Sequence, residues 1–241
     1  MPAFVFDAYG TLYDVHSVAA EVEAAFPGKG DAVTQIWRLK QLEYSWLRTA
    51  MRRYADFWQV TGEALEYTLD VLGLEADPAT VARLAQTYNQ LTPYRDTVPA
   101  LEALAGSPRA IFSNGSPAML AELVSHSGLR PYLEAVLSVD PARAFKPDPS
   151  AYALVGPALG VDPKEVIFVS SNGFDIAGAK AFGFKVARIE RVSAAVMRDQ
   201  IAADPDLGPA SMYKALRTQS EVLGEQADWT VSSLTDLARL A

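Results

Sequence analysis

Apolar residues cluster in six short runs along the chain: AFVFD (3–7), RAIFS (109–113), AVLSV (135–139), VIFVS (166–170), KVARI (185–189) and DWTV (228–231). None alternates cleanly between apolar and polar positions, and at this length they predict strands covered on both faces, as in a parallel sheet. Between them lie helical segments with readable ends. Ser116-Pro117 opens one that Gly128 stops, 149–159 forms another before Gly160, and 174–182 a third before Gly183. Residues 15–95 break this rhythm. They hold no convincing strand, and 31–54 is one long amphipathic stretch with Ile36, Leu39, Leu42, Trp46 and Met51 near helical spacing, followed by helices over 63–73 and 78–90. A second helix-like interruption covers about 192–226, before the last strand and a helix at 232–240.

The predicted fold is therefore α/β: a Rossmann-like, doubly wound parallel sheet core with an inserted all-helical cap and a second, smaller helical insertion. The expected division is a core of 1–14 plus 96–241, carrying the insertion at about 192–226, and a cap of 15–95 inserted after the first strand.

Composition narrows the function. The 241 residues include no cysteine, which removes disulfides, thiolate metal sites and a cysteine nucleophile. A net charge of −8 leaves no basic footprint for nucleic acid. No run approaches the roughly 18 apolar residues of a membrane span. The opening MPAFVFDAYG lacks a basic segment ahead of its apolar run, so a cytoplasmic protein is expected. An anionic ligand would have to meet isolated cations among apolar neighbours.

Four polar clusters sit at the ends of predicted strands. Asp7-Ala8-Tyr9-Gly10-Thr11 places an acid and a glycine turn where open α/β sheets bind ligands, with Thr11 able to hydrogen-bond the acid. Ser113-Asn114-Gly115 offers a hydroxyl and an amide just before a helix N-terminus. Lys146, in the Pro-flanked loop Phe145-Lys146-Pro147-Asp148-Pro149, can keep a nearby carboxylate ionised. Ser170-Ser171-Asn172-Gly173-Phe174-Asp175 sets a second acid five residues beyond a strand end. Each alone has an ordinary explanation: a solvated acid, a common turn, a surface lysine, a first-turn acid favoured by the helix dipole. Together, in this order, they converge on one crevice.

The order DxYGT, SNG, KPD and SSNxxD resembles the haloacid dehalogenase superfamily over nearly the whole chain. Within it the chain is most similar to the L-2-haloacid dehalogenases, through the cap stretch from Trp37 to Arg48 and a fourth motif without metal ligands. The resemblance implies hydrolytic dehalogenation of short (S)-2-haloalkanoic acids to (R)-2-hydroxyalkanoic acids. Asp7 would attack C2 to form an ester, and water would then cleave that ester at the Asp7 carbonyl carbon. Lys146 would keep Asp7 ionised, Asp175 with Asn172 would orient the water, and Thr11, Ser170 and Tyr152 would hold these groups in place. Arg38, Asn114 and Phe174 match the family's halide cradle. Ser113 and the backbone N–H groups at Ala8 and Tyr9 would take the substrate carboxylate, with Tyr9, Leu42 and Phe57 walling its side chain. Leu39 stands where relatives often carry Gln, making the pocket less polar.

The resemblance also implies no cofactor, no metal, and a homodimer, to which the long cap helix and the second insertion would contribute apolar surface. Two other readings use the same fold: a magnesium-dependent small-molecule phosphatase, and an inactive binding protein. Against the first, Tyr9 and Ser171 occupy positions where superfamily phosphatases carry acids. Against the second, Asp7, Ser113, Lys146 and Asp175 are all present. His16 and His126 are too few and too scattered for a metal site. Trp37, Trp46 and Trp58 are expected to pack cap helices together or to fill an interface.

Overall fold

The computed structural model describes residues 1–203 and 208–241. In chain order the elements are β1 (Ala3–Phe6), β2 (Tyr13–Asp14), α1 (Ala19–Ala25), α2 (Gly30–Ala50), α3 (Phe57–Val71), α4 (Pro78–Gln86), β3 (Thr92–Pro93), α5 (Thr97–Ala103), β4 (Arg109–Ser113), α6 (Pro117–His126) and β5 (Ala135–Ser138). They continue with α7 (Pro149–Tyr152), α8 (Val155–Leu159), β6 (Val166–Ser170), α9 (Gly173–Phe182), β7 (Lys185–Ile189), α10 (Ala194–Ala203), α11 (Pro209–Leu216), β8 (Trp229–Val231) and a 3₁₀ helix (Leu234–Leu240).

The six predicted strands form one parallel sheet in the order β5-β4-β1-β6-β7-β8. β1 and β6 are buried at every position, as expected of strands with helices on both faces. The chain runs outward one way through β4 and β5 and the other way through β6, β7 and β8. The order therefore reverses beside β1, and the crevice at the carboxyl ends of β1, β4 and β6 is where such sheets take ligands. Side-chain caps start the helices at several predicted points: Ser116 accepts from Met119 N and Asp77 from Thr80 N, each followed by Pro.

Helices α1 to α4 lie between two very short strands, β2 and β3, which pair antiparallel and escaped the sequence pattern because two residues carry no periodicity. No helix of the described residues is long and apolar enough to cross a membrane.

Four other expectations change. The 149–159 helix is broken into α7 and α8, and the terminal 232–240 segment is a 3₁₀ helix. The predicted 31–54 helix stops at Ala50, beyond which Arg52 takes a left-handed conformation (φ 56°). The second insertion is helical only at α10 and α11. Residues 217–226 run without regular structure, and 204–207 lie outside the described residues.

The largest correction concerns which side of α2 is covered. The apolar stripe Leu39, Trp46 and Met51 is exposed, and the buried side carries Val33, Trp37, Arg38, Gln41 and Ser45. A helix normally buries its apolar stripe; α2 instead turns polar groups inward because partners for them wait there. Arg38 Nη1 donates to Gln41 Oε1 at 2.5 Å, Gln41 Nε2 donates to Thr61 Oγ1 at 2.7 Å, and Trp37 Nε1 donates to the Thr61 carbonyl at 2.8 Å. The last two of these bonds join α2 to α3 through a buried polar seam.

Candidate active site

Asp7 follows the last residue of β1, and its backbone N–H still bonds across to the Val169 carbonyl of β6 at 2.9 Å. The carboxylate is thereby aimed into the crevice and is nearly buried. Lys146 Nζ donates to Asp7 Oδ1 at 3.1 Å and to Asp175 Oδ2 at 2.9 Å, with Lys146 and Asp175 both fully enclosed. One ammonium thus holds two carboxylates. Its other surroundings are aromatic: Nζ lies 4.9 Å from the Phe112 ring and 5.0 Å from the Phe168 ring, on β4 and β6. Burial opposes the Lys146 charge, but Asp175 and Asp7 outweigh it and raise its pKa above the ordinary lysine value.

The other Asp7 oxygen is also fully used. Oδ2 accepts from Asn172 Nδ2 at 2.8 Å and from Thr11 Oγ1 at 3.1 Å. Asn172 occupies the position that would cap α9, yet its side chain makes no capping bond. The amide reaches across to Asp7 and to the Tyr9 carbonyl at 3.0 Å instead, so a stabilising cap is given up for contact with the buried acid.

Asp175 sits in the first turn of α9. Tyr152 OH donates to its Oδ1 at 2.7 Å and Ser170 Oγ to its Oδ2 at 3.2 Å. Burial, the largest influence, pushes its carboxyl up to about 6 against the pull of Lys146. The same burial, reinforced by Asp175, raises the Tyr152 hydroxyl well above its ordinary range, so it remains a donor. Gly178 makes the approach of Tyr152 feasible: a Cβ there would lie 2.6 Å from the Tyr152 hydroxyl and 2.6 Å from Pro147 Cβ.

At the end of β4, Asn114 Oδ1 accepts from the Lys146 backbone N–H at 2.9 Å, which orients the amide and leaves its Nδ2 to point elsewhere. Ser113 Oγ is fully buried and accepts from Gly115 N at 3.2 Å, keeping its own proton for donation. Among the described residues the N–H groups of Ala8 and Tyr9 have no acceptor, whereas the N–H groups of Thr11, Leu12 and Tyr13 all converge on the Ala8 carbonyl. An anion at the first two would find unused donors.

The helices between β2 and β3 cover this crevice. Arg38 is buried, and its Nε has no hydrogen-bond partner among the described residues. Burial works against its charge, but Tyr213, Tyr88 and Asp7 outweigh that and keep its pKa above the ordinary arginine value. Its guanidinium lies 5.9 Å from the Tyr9 ring, and that ring packs on Phe57 (5.7 Å) and Tyr88 (6.2 Å). The Tyr9 hydroxyl is likewise buried without a partner among the described residues, and burial raises its pKa. Unsatisfied buried donors are rare in folded proteins and mark where a ligand completes the bonding.

Phe174 is half-buried and meets Trp46 of α2 edge to face at 5.2 Å. Trp46 therefore packs across to α9 and not between cap helices, the first of the two places expected for it, whereas Trp37 does join α2 to α3. Leu39, Leu42, Trp46, Asn172 and Phe174 line a cleft of about 480 Å³ whose far wall is Tyr213, Leu216, Arg217 and residues 219–222 of the second insertion. Sequence reading assigned that insertion to an interface and missed its place beside the site. Nothing in an isolated Tyr or Arg of an amphipathic segment marks it as site-facing.

The arrangement defines a class: an α/β protein with a strand-end carboxylate held by a buried ammonium, beside a second carboxylate of raised pKa. The model of the haloacid dehalogenase-like hydrolases matches residues 1–183, and the chain belongs to that family. It is 56% identical over 238 residues to an (S)-2-haloacid dehalogenase of Xanthobacter autotrophicus, covering 99% of this chain and 94% of that protein. It is 44% identical over 206 residues to haloacetate dehalogenase H-2 of Moraxella sp. (strain B), covering 85% of this chain and 91% of that one. The solved structure of the L-2-haloacid dehalogenase from Xanthobacter autotrophicus with chloropropionic acid covalently bound superposes with a TM-score of 0.96 at 55% identity, over 100% of this chain and 98% of that one.

Proposed function

We propose that this chain is an enzyme that hydrolyses the carbon–halogen bond of short (S)-2-haloalkanoic acids, releasing (R)-2-hydroxyalkanoic acids and halide. The observation that carries the reading is the buried Asp7–Lys146–Asp175 bridge, with Asp7 Oδ1 held by an ammonium and Oδ2 by an amide and a hydroxyl. Each of these neighbours donates a proton toward Asp7. Such donors preserve a carboxylate as a nucleophile, but they occupy the lone pairs a divalent cation would need. The phosphatase reading is disfavoured for that reason.

In this reading the substrate carboxylate binds Ser113 and the N–H groups of Ala8 and Tyr9. Asp7 attacks C2 opposite the halogen, and the carbon–halogen electron pair leaves with the halide. Arg38, the Asn114 amide and the Phe174 ring edge meet the departing charge. The product is an ester between Asp7 and C2. Water positioned by Asp175 attacks the Asp7 carbonyl carbon, Asp175 takes its proton, and cleavage frees the hydroxy acid and restores Asp7. Closure of the helical cover, which brings Arg38, Leu42 and Phe57 over the crevice, excludes competing water.

One experiment tests the chemistry. (S)-2-Chloropropionate, turned over in EDTA, is expected to give (R)-lactate at an unchanged rate, because C2 is inverted once and no step uses a metal. In H₂¹⁸O under single-turnover conditions the label enters Asp7 and not the first lactate. (S)-Lactate, loss of rate in chelator, or label in the first-turnover product would each defeat the ester route.

A homodimer is proposed as well. Leu47, Met51, Trp58, Tyr67 and Val71 are exposed large apolar side chains on α2 and α3 or at their ends, more than a solvated helical face needs. Sedimentation at micromolar concentration is expected to show about twice the 26.0 kDa of one chain. A single-chain mass would refute the dimer and leave the enzymatic reading intact.

A further inference from the structure

The second insertion carries an arginine that bonds to the two loops flanking Asp7. Arg217 follows α11, and its Nη2 donates to Ser171 Oγ at 2.7 Å and to the Gly10 carbonyl at 3.2 Å. Ser171 Oγ in turn donates to that same Gly10 carbonyl at 2.7 Å. One guanidinium nitrogen therefore closes a three-membered knot between the loop after Asp7 and the loop after β6, two segments 161 residues apart in the chain.

We propose that Arg217 is a positioning residue for dehalogenation, setting the nucleophile of one loop against the Asn172 amide of the other. This rests on the dehalogenation reading above. Two chains of bonds lead from the knot to the same atom, Asp7 Oδ2. In the first, Ser171 N–H donates to Thr11 Oγ1 at 3.0 Å and Thr11 Oγ1 donates to Asp7 Oδ2 at 3.1 Å. In the second, Asn172, the residue after Ser171, donates its Nδ2 to Asp7 Oδ2 at 2.8 Å. Fixing Ser171 against Gly10 thus fixes both donors to the oxygen beside the one that attacks or swings.

Gly10 is built to admit this contact. Its φ of +83° suits glycine, and a Cβ there would lie 2.7 Å from Arg217 Nη2. The carbonyl next along is held the same way from the other end of the insertion. Arg191 Nη2 donates to the Thr11 carbonyl at 2.6 Å while Nη1 forms a two-point ion pair with Asp96, 2.9 Å to each oxygen. The loop carrying the nucleophile is gripped at two successive carbonyls by arginines that the sheet itself does not supply. Beyond Arg217 the chain stays on the same motif: a Cβ on Gly173 would lie 2.9 Å from the Glu221 backbone nitrogen.

Displacing a reacting group by about 1 Å can cost on the order of 10²-fold in rate. Arg217→Met keeps the length of the stem and removes the guanidinium. It is expected to lower kcat for (S)-2-chloropropionate by about 10- to 100-fold with KM changed less than about threefold, since neither the carboxylate nor the halide donors are touched. Arg217→Ala, which opens space at this half-buried position, is expected to regain at least about threefold in kcat with added guanidinium acetate. Melting temperature and sedimentation of both variants should match the wild type. An unchanged kcat, an effect confined to KM, or a loss that tracks a fallen melting temperature and is not rescued by guanidinium would overturn the proposal. Halide release by the wild-type chain in the same assay separates this outcome from failure of the dehalogenation reading itself.

Discussion

Asp7→Asn is expected to reduce multiple-turnover halide release by on the order of 10⁴-fold or more. An amide has no anionic oxygen to attack C2, so the first bond cannot form. The replacement is nearly isosteric, but its effect on local bonding is specific. Asp7 accepts on both oxygens, from Lys146 on one and from Asn172 and Thr11 on the other. An Asn must turn its NH₂ toward one of these donors, so a modest fall in stability accompanies the loss of rate. Circular dichroism should still report the α/β fold. Wild-type-like turnover by freshly purified protein, with reversion of Asn to Asp excluded by mass spectrometry, would show that Asp7 is not the nucleophile.

Removing the ammonium is the second large effect. Lys146→Met keeps the apolar stem between Phe112 and Phe168 but leaves Asp7 and Asp175 facing one another without a cation. Breaking a buried ion pair from one side costs about 3–5 kcal/mol, unless the carboxylates take up protons, and protonation removes the nucleophile. Either way kcat is expected to fall by at least about 10³-fold at neutral pH. The residual activity carries a further signature. In the wild type burial pushes Asp175 up to about 6 against the pull of Lys146, so turnover is expected to fall as pH drops through that value and the carboxylate proposed to activate water takes up a proton. Without Lys146 the largest influence pulling that pKa down is gone, and the acid limb of the kcat profile moves to higher pH. Because Asp7 and Asp175 share the ammonium, the limb belongs to the pair and not to one residue. A variant with wild-type kcat and an unmoved acid limb would remove Lys146 from the chemistry.

The strand-end motifs and the site geometry meet at the same residues. Every motif noted at a strand end contributes an atom within bonding distance of Asp7 or Asp175, or of the groups that hold them. Thr11 and Asn172 contact Asp7, Lys146 contacts both acids, Ser170 and Tyr152 contact Asp175, and Asn114 fixes the Lys146 backbone. Arg38 and Ser113 are buried, Arg38 with an Nε that is unpaired among the described residues, and Phe174 lines the cleft beside Asn172. Leu39 lies on the cleft wall, partly exposed.

The sheet and its polar strand ends were legible in the chain alone, and the reason is local. A buried parallel strand of four or five residues needs apolar side chains on both faces, so it appears as an unbroken apolar run, and the first polar residues after it fall at the crevice. Asp7, Ser113, Ser170 and the residues that follow them are placed by that rule with no knowledge of the fold. The helix α2 shows where the rule stops. Its periodicity marks an apolar stripe, but which stripe is covered depends on what packs against it, and here Thr61 offers a partner to Gln41, which in turn holds Arg38, so the polar face goes in. Arg191 and Arg217 were illegible for a related reason: each bonds to a backbone carbonyl 180 or more residues away, and a carbonyl is the same at every position of a sequence. Which peptide groups an arginine meets is settled only when the second insertion has been laid against the nucleophile loop, and that is decided by tertiary packing.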